Sequence, residues 1–228
     1  MTGKEQKNFL RLYCNMKKIF IFSAGRMGQE VLRLINAINA KKKKKEWEVL
    51  GFVDKKFKTK KIDSIKVFSP QELKASNKIY GITAVSDTSI RENIINKEIK
   101  NKFNLATLIH PTAINHHSVK LGKGSVIFAN VQLGINLKLG ISNIIQFGSD
   151  IGHDIETENF VTVFPHTTIG GYCKIGEKVV IGAGSNVLPK IKIGRNSAVS
   201  IGSKVIQNVK DNRTYIEKTK IINLKKNV

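Results

Sequence analysis

Among the five histidines of this 228-residue chain, one stands beside a carboxylate: His153-Asp154, directly after Ile151-Gly152. An imidazole that is mostly neutral near pH 7 can take a proton from an attacking amine or hydroxyl, and an adjacent carboxylate can orient the ring. The pair reads as a general base, His153, with Asp154 as its orienting partner. A second chemistry is written near the start. Ser23-Ala24-Gly25-Arg26-Met27-Gly28 follows the apolar run Ile19 to Phe22 and precedes a helical stretch, Gln29 to Ala40. A turn of this kind brings backbone N–H groups and a helix N-terminus to a phosphate. Ser23 replaces the first glycine of the dinucleotide fingerprint, and only half of such a site is present. A mononucleotide or sugar-nucleotide phosphate is the better fit. Asp54 lies 26 residues after Gly28, where an acidic residue commonly meets a ribose or base. The bland alternative is a structural turn with an aspartate at a strand end.

The elements that must hold these groups follow from two patterns. From Ile109 to Val205 every sixth residue is aliphatic, with Asn115 and Thr157 as exceptions among seventeen, and glycine follows in eight of them, such as Gly122, Gly152 and Gly182. A fixed period of six predicts short strands joined by corners in a parallel β-helix, with the glycines where tight corners need a residue without a Cβ. Successive coils must stack, because one turn cannot bury its own apolar face. Before the ladder, strands at Ile19 to Phe22, Val49 to Val53, Ile79 to Val85 and Leu105 to Leu108 alternate with helices at Gln29 to Ala40 and Ser89 to Lys100. That alternation predicts a small α/β parallel sheet binding its ligand at the carboxyl ends of the strands. The expected organisation is an extension over 1–16 with Met16 as the natural start, a Rossmann-like domain over 17–108, a β-helix over 109–210 and a tail over 211–228.

Composition narrows the partners. The formal charge of +22 is spread through both halves, and the one dense run, Lys41 to Lys45, falls between a helix and a strand. No recognition helix, basic-aromatic motif or zinc-ligand set accompanies it, so specific nucleic-acid binding is not expected. Anionic small molecules suit the charge better. Cys14 and Cys173 form neither a disulfide framework nor a metal-ligand set, which fits a reducing compartment. No apolar run reaches the roughly 20 residues a membrane helix needs. A cytoplasmic protein without membrane association is expected.

The ordered motifs Ser-Ala-Gly-Arg-Met-Gly-Gln-Glu-Val, Gly51-Phe52-Val53-Asp54, Ala84-Val85-Ser86-Asp87, Leu108-Ile109-His110-Pro111, Ile151-Gly152-His153-Asp154 and Ile181-Gly182-Ala183-Gly184 resemble the bacterial sugar acetyltransferases. These include sialic acid O-acetyltransferases and UDP-4-amino-sugar N-acetyltransferases, and the resemblance covers about residues 17 to 222. It implies a left-handed β-helix, a homotrimer, and acetyl-CoA in the groove between neighbouring prisms. It makes His153 the base and Asp154 its helper, with direct attack of a sugar or nucleotide-sugar acceptor on the thioester and no acyl-enzyme. Thr162, Gly171, Ala183 and Gly202 match the cofactor groove, and Lys220 a lysine near the coenzyme phosphates. Ser23, Ala24, Gly25, Met27, Gly28, Asp54, Ser86 and Asp87 fall in the acceptor-binding motifs. No metal is implied.

Three departures stand out. Met27 replaces a histidine usual in the UDP-4-amino-sugar enzymes, and a thioether is a poor hydrogen-bond partner. Thr162 replaces a second active-site histidine of some members, leaving the thioester carbonyl to backbone N–H groups. The usual Gly-Asn-Pro-Ala-Lys ending is Ile216-Glu217-Lys218-Thr219-Lys220. His166 stands where glycine is usual and could face the groove, while His116 and His117 read as bystanders. Two rivals remain. A catalytically silent sugar-nucleotide scaffold would bind coenzyme without turnover. A zinc enzyme like the γ-class carbonic anhydrases would need three histidines; His117 and His153 are two coils apart, and Glu158 stands where the third is expected.

Overall fold

The computed structural model describes residues 16–56 and 59–217. The segment before Met16, and Lys220, lie outside the described residues. β1 (Lys17–Phe22) is the centre of a six-stranded sheet, because Ile19 and Ile21 are fully buried and strands pair on both its sides. β2 (Trp47–Val53) and β5 (Ile79–Thr83) flank it, and β3 (Lys61–Ile62), β4 (Ile65–Phe68) and β6 (Asn104–Leu105) complete the order β3-β4-β2-β1-β5-β6. All pairs are parallel except β3 with β4, a hairpin absent from the sequence reading. Its turn residues Asp63 and Ser64 both take positive φ, 46° and 68°, the geometry that matches strand twist in two-residue hairpins. α1 (Arg26–Lys41) lays Val31, Leu34, Ile35 and Ile38 on Ile19, Ile21, Phe52 and Ile82.

Two expected elements change form. The second helix is α2 (Thr88–Ile94), which widens into a π turn over Ile95–Ile99. The strand expected at Leu105 to Leu108 is split between two sheets. Asn104–Leu105 pairs with Tyr80 and Gly81, whereas Leu108–Ile109 pairs with Val126–Ile127 and opens the β-helix.

From there the chain winds into a left-handed parallel β-helix of 18-residue coils with three flat faces. The docked face runs from Leu108–Ile109 through Val126–Ile127, Ile144–Ile145, Thr162–Val163 and Val180–Ile181 to Thr214–Tyr215. The polar face carries Gln132, Asp150, Thr168, Asn186 and Lys204 outward, and the lysine face Lys120, Lys138, Glu156, Lys174 and Lys192. Ladder residues from Ile127 to Val205 fill the interior as one cluster. Thr157 belongs there too, since its hydroxyl meets the Asn143 amide, whose oxygen accepts the Val161 N–H at 2.8 Å.

The glycines after the ladder residues have a different cause from the one expected. A Cβ on Gly122, Gly134 or Gly140 would lie 2.4, 2.8 or 2.5 Å from the backbone of the next coil, so they permit close stacking. Positive φ falls two residues later, on Asn136, Ser142, Asp154 and Tyr172 among others, at 54–62°. The α/β domain covers the docked face: Val126, Phe128 and Ile144 share a core with Ile19, Ile21 and Leu108.

Candidate active site

His153 and Asp154 occupy the edge between the polar and lysine faces. His153 Nδ1 lies 2.8 Å from Asp154 Oδ2, and Asn136, one coil earlier in the same column, donates from Nδ2 to Asp154 Oδ1 at 3.2 Å. These two bonds, the histidine's first, hold the Asp154 carboxyl below its usual range. With Nδ1 turned to the carboxylate, Nε2 is left as the proton acceptor. Tyr172 meets the imidazole edge-on at 5.0 Å between ring centroids. Gly171 lies beneath the ring, where a Cβ would be 2.8 Å from His153 Nε2. Among the described residues the Gly171 N–H has no hydrogen-bond acceptor. The imidazole is half-exposed, available to a substrate. An open pocket of about 400 Å³ beside it is lined by Ser118, Asn136, Asp154, Glu156 and Tyr172.

Ala183 and Gly202 lie elsewhere, on the edge between the docked and polar faces. There the column Asn130, Gly148, His166, Gly184, Gly202 takes positive φ. Beside Gly184 and Gly202 a Cβ would meet nothing within 4 Å. Of the groove residues read from sequence, Gly171 thus joins His153, and Ala183 and Gly202 form a separate group.

Thr162 is the clear correction. It is fully buried under the α/β domain, where its hydroxyl donates to Ser86 O at 2.9 Å and accepts from Arg91 Nη1 at 2.9 Å. No groove reaches it in the chain. Arg91, on α2, is itself fully buried and donates to Val85 O, Ser86 O, Ser142 O, Phe160 O and Val161 O. Burial pushes its guanidinium down to about 9, with Asp87 opposing, so it remains charged at neutral pH and serves every acceptor.

At the carboxyl ends of β1 and β2 a pocket of about 370 Å³ is lined by Ser23, Asp54, Lys55, Lys56, Pro70, Val85, Ile90 and Asn93. The turn entering α1 is partly self-satisfied. Asp54 Oδ2 accepts the Ala24 N–H at 3.0 Å, Ser23 Oγ accepts the Gly25 N–H at 3.3 Å, and Ala24 is buried. These two N–H groups are taken within the chain, whereas Ser23 and Asp54 line the pocket. Gly28 is fixed by packing, since a Cβ there would lie 2.1 Å from Ser23 O. Asp87 caps α2, accepting the Ile90 N–H at 2.8 Å. Ser86 Oγ donates to Met27 Sδ at 3.1 Å and accepts from Gln146 Nε2 at 3.5 Å.

Of the residues weighed for zinc, Glu158 is held by Arg195 Nε and Nη2 at 2.6 and 2.7 Å, and His117 stacks on His116 at 3.9 Å. Among the described residues, no three His, Cys, Asp or Glu side chains converge.

Residues 15–103 match the family described as C2185-like, N-terminal. Over 167 residues the chain is 27% identical to GDP-perosamine N-acetyltransferase of Escherichia coli, covering 72% of this chain and 75% of that one. The fold recurs in a His-to-Asn mutant of perosamine N-acetyltransferase from Caulobacter crescentus in complex with CoA and GDP-perosamine. The TM-score is 0.77 at 24% identity, over 86% of this chain and 92% of that one. The acetyltransferase domain of PglB from Neisseria gonorrhoeae, in complex with acetyl coenzyme A, gives 0.79 at 24% identity, over 87% and 95%. Over most of its length the chain is similar to sugar N-acetyltransferases and shares their fold. In this chain the residues sequence reasoning missed are Asn136, Tyr172, Arg91, Lys55 and Lys56. Asn136 and Tyr172 stand 18 residues either side of Asp154, so coil arithmetic finds them. Lys55 and Lys56 directly follow Asp54, and Lys55 pairs with Glu98 at 2.7 Å.

Proposed function

We propose that this acetyltransferase moves acetyl from acetyl-CoA to the amine of a nucleotide-activated amino sugar, at a site completed between chains of a homotrimer. The reading rests above all on His153, held by Asp154 at 2.8 Å with Nε2 free, over Gly171 and its unpaired N–H. His153 Nε2 takes the proton as the amine nitrogen attacks the thioester carbonyl. The N–C bond forms, the developing oxyanion is met by the Gly171 N–H, and the C–S bond breaks with the proton passing to the departing thiolate. The pocket at Ser23, Asp54, Lys55 and Lys56 is where the nucleotide would sit, with Lys56 to face a phosphate and Lys55 shared with Glu98, which also lines it. GDP-linked amino sugars are the first acceptors to test, because that is what the named relatives act on or hold.

The geometry of the prism supports a composite site. The α/β domain covers one face, and His153 lies on the edge opposite that face. A chain's own base and acceptor pocket therefore point away from each other. Gly171 and the Ala183–Gly202 group sit on the two edges that border the polar face, so one groove can use both only by joining two chains. Exposed apolar residues support this: Ile135, Leu188 and Ile206 lie on the His153 edge and Ile201 on the other, at 49–78% exposure. Such residues on flanking edges mark a contact surface.

The test is thiol release from acetyl-CoA with GDP-perosamine, UDP-4-amino sugars, dTDP-amino sugars and sialic acids, with His153→Ala alongside. Turnover with one acceptor and a loss of roughly 10²- to 10⁴-fold in the variant is expected. Retained turnover in His153→Ala would remove the mechanism, and coenzyme binding without turnover on any acceptor would favour a silent scaffold.

A further inference from the structure

The reading above uses one of the five imidazoles, and His166 is the one of the other four that faces the Ala183–Gly202 edge. His166 stands on the docked–polar edge, in the column otherwise filled by Asn130, Gly148, Gly184 and Gly202, with φ at 56°. A side chain in left-handed backbone costs about 1 kcal/mol that glycine avoids. Side chains take this conformation at other corners too, Asn130 in the same column and Phe160, Tyr172 and Lys178 elsewhere, but the exposed His166 ring stands between two coils that use glycine at its place. His110, His116 and His153 each have a ring nitrogen bonded to a nearby oxygen. Among the described residues the rings of His117 and His166 have no such partner, and His117 is stacked on His116.

The ring's direction is set by its contact. It lies over Gly148, where a Cβ would fall 2.8 Å from His166 Cε1 and Nδ1. The coil of Gly148 also carries Gln146, which reaches Ser86, and Phe147, which packs on Phe128 at 4.7 Å. His166 therefore stands where the acceptor domain meets the edge bearing Ala183 and Gly202. On its other side, Gly184 and Gly202 leave bare backbone open to a slender ligand.

We propose that His166 is a second catalytic imidazole, donating a hydrogen bond to the thioester carbonyl across the groove from His153 of a neighbouring chain. This rests on the composite transfer site described above. The amine nitrogen forms the N–C bond while the C=O π pair moves onto oxygen, where the His166 ring N–H and the Gly171 N–H share the charge. The C–S bond then breaks, the carbonyl re-forms, and the proton held by His153 goes to the thiolate. His166 undergoes no net protonation change.

The experiment uses the full chain with acetyl-CoA and GDP-perosamine, or whichever acceptor of the panel turns over. His166→Gly restores the residue the backbone favours, so folding is retained; a fall of about 10² in kcat is expected, as for loss of one oxyanion donor. His166→Gln, which keeps an N–H donor, should recover part of that loss, whereas a purely structural ring would not be rescued. Differently tagged His153→Ala and His166→Gly chains are then co-expressed and purified through both tags. A mixed ring of three has one interface with both histidines intact, so about one third of wild-type turnover should return. Inactive mixed trimers, or wild-type kcat in His166→Gly while His153→Ala is inactive, overturn the assignment of His166 and leave the transfer reading standing. Full turnover in His153→Ala would instead sink the transfer reading itself, and His166 with it.

Discussion

Two polar clusters lie on opposite sides of one prism and are built on opposite terms. Around Arg91, on the docked face, a charge is fully buried and donates to five backbone carbonyls and one hydroxyl. Around His153, on the far edge, the ring is half-exposed and held by one carboxylate, and among the described residues neither its Nε2 nor the Gly171 N–H beside it has a partner. The guanidinium of the first cluster has its N–H groups engaged and can only hold. The second has unmet bonding capacity, which is what a site for a passing substrate needs. Buried polar groups must be satisfied to be tolerated, whereas catalytic groups are useful because they are not.

The largest break of that contrast is Arg91→Met. Removing the donor orphans several buried carbonyls at once, and a loss of about 3–5 kcal/mol in urea-denaturation stability is expected. Arg91→Lys should recover only part, because an ammonium cannot span acceptors on two domains as the planar fork does. A result within experimental error of wild type for Arg91→Met would show that the interface does not depend on the guanidinium. On the other edge, Gly171→Ala pushes a methyl into the His153 ring. Displacing the base should lower kcat by roughly 10² with little change in melting temperature. The same change at Gly140 strikes backbone 2.5 Å away in the next coil, so there stability should fall instead. Equal effects of the two alanines on melting would break the distinction between a packing glycine and a site glycine.

A smaller loss, roughly tenfold in kcat, is expected for Asp154→Asn, since the amide still bonds the ring but no longer favours its protonated form. A wild-type rate would deny Asp154 its orienting role. The smallest effect is on acid stability. Glu158 beside Arg195, and Glu98 beside Lys55 and Lys102, have carboxyl groups held below the usual 4.5. Their folded values are depressed, so their contribution is present above about pH 4.5 and is lost as pH falls through the lower folded values. The melting temperature should drop by less than about 4 °C from these pairs between pH 5 and 3, and less in high salt. A rise in stability over that interval would contradict the pairing.

The contrast also separates what was legible in the sequence from what was not. The six-residue ladder exposes the prism because one aliphatic side chain per strand must point inward, and His153-Asp154 is readable because its partners are adjacent in the chain. The corner glycines were visible but their reason was not: stacking distance between coils is a property of the assembled prism. Arg91 leaves no motif, since its acceptors are backbone carbonyls contributed by residues as distant as Val161. Thr162 was assigned to the groove from its matching position, and only docking of the α/β domain reveals that its hydroxyl is already engaged. The split at Leu105 to Leu108 has the same origin, because short apolar runs do not say which sheet will take them.

The docked domain reaches along the prism only so far. Its contacts touch the coils of Val126, Ile144 and Phe160, and the Glu92–Lys178 pair at 2.7 Å extends them to Lys178. Among the described residues of one chain, the coils from Asn186 to Tyr215 continue the prism by stacking, without the α/β domain against them. A solenoid clamped at one end unzips from the other, so heat or pulling should peel the last coils first. His153 sits in the clamped part, and Gly202 in the part that frays. The edge around Gly202 should therefore lose its shape before the His153–Asp154 pair does as the molecule is warmed.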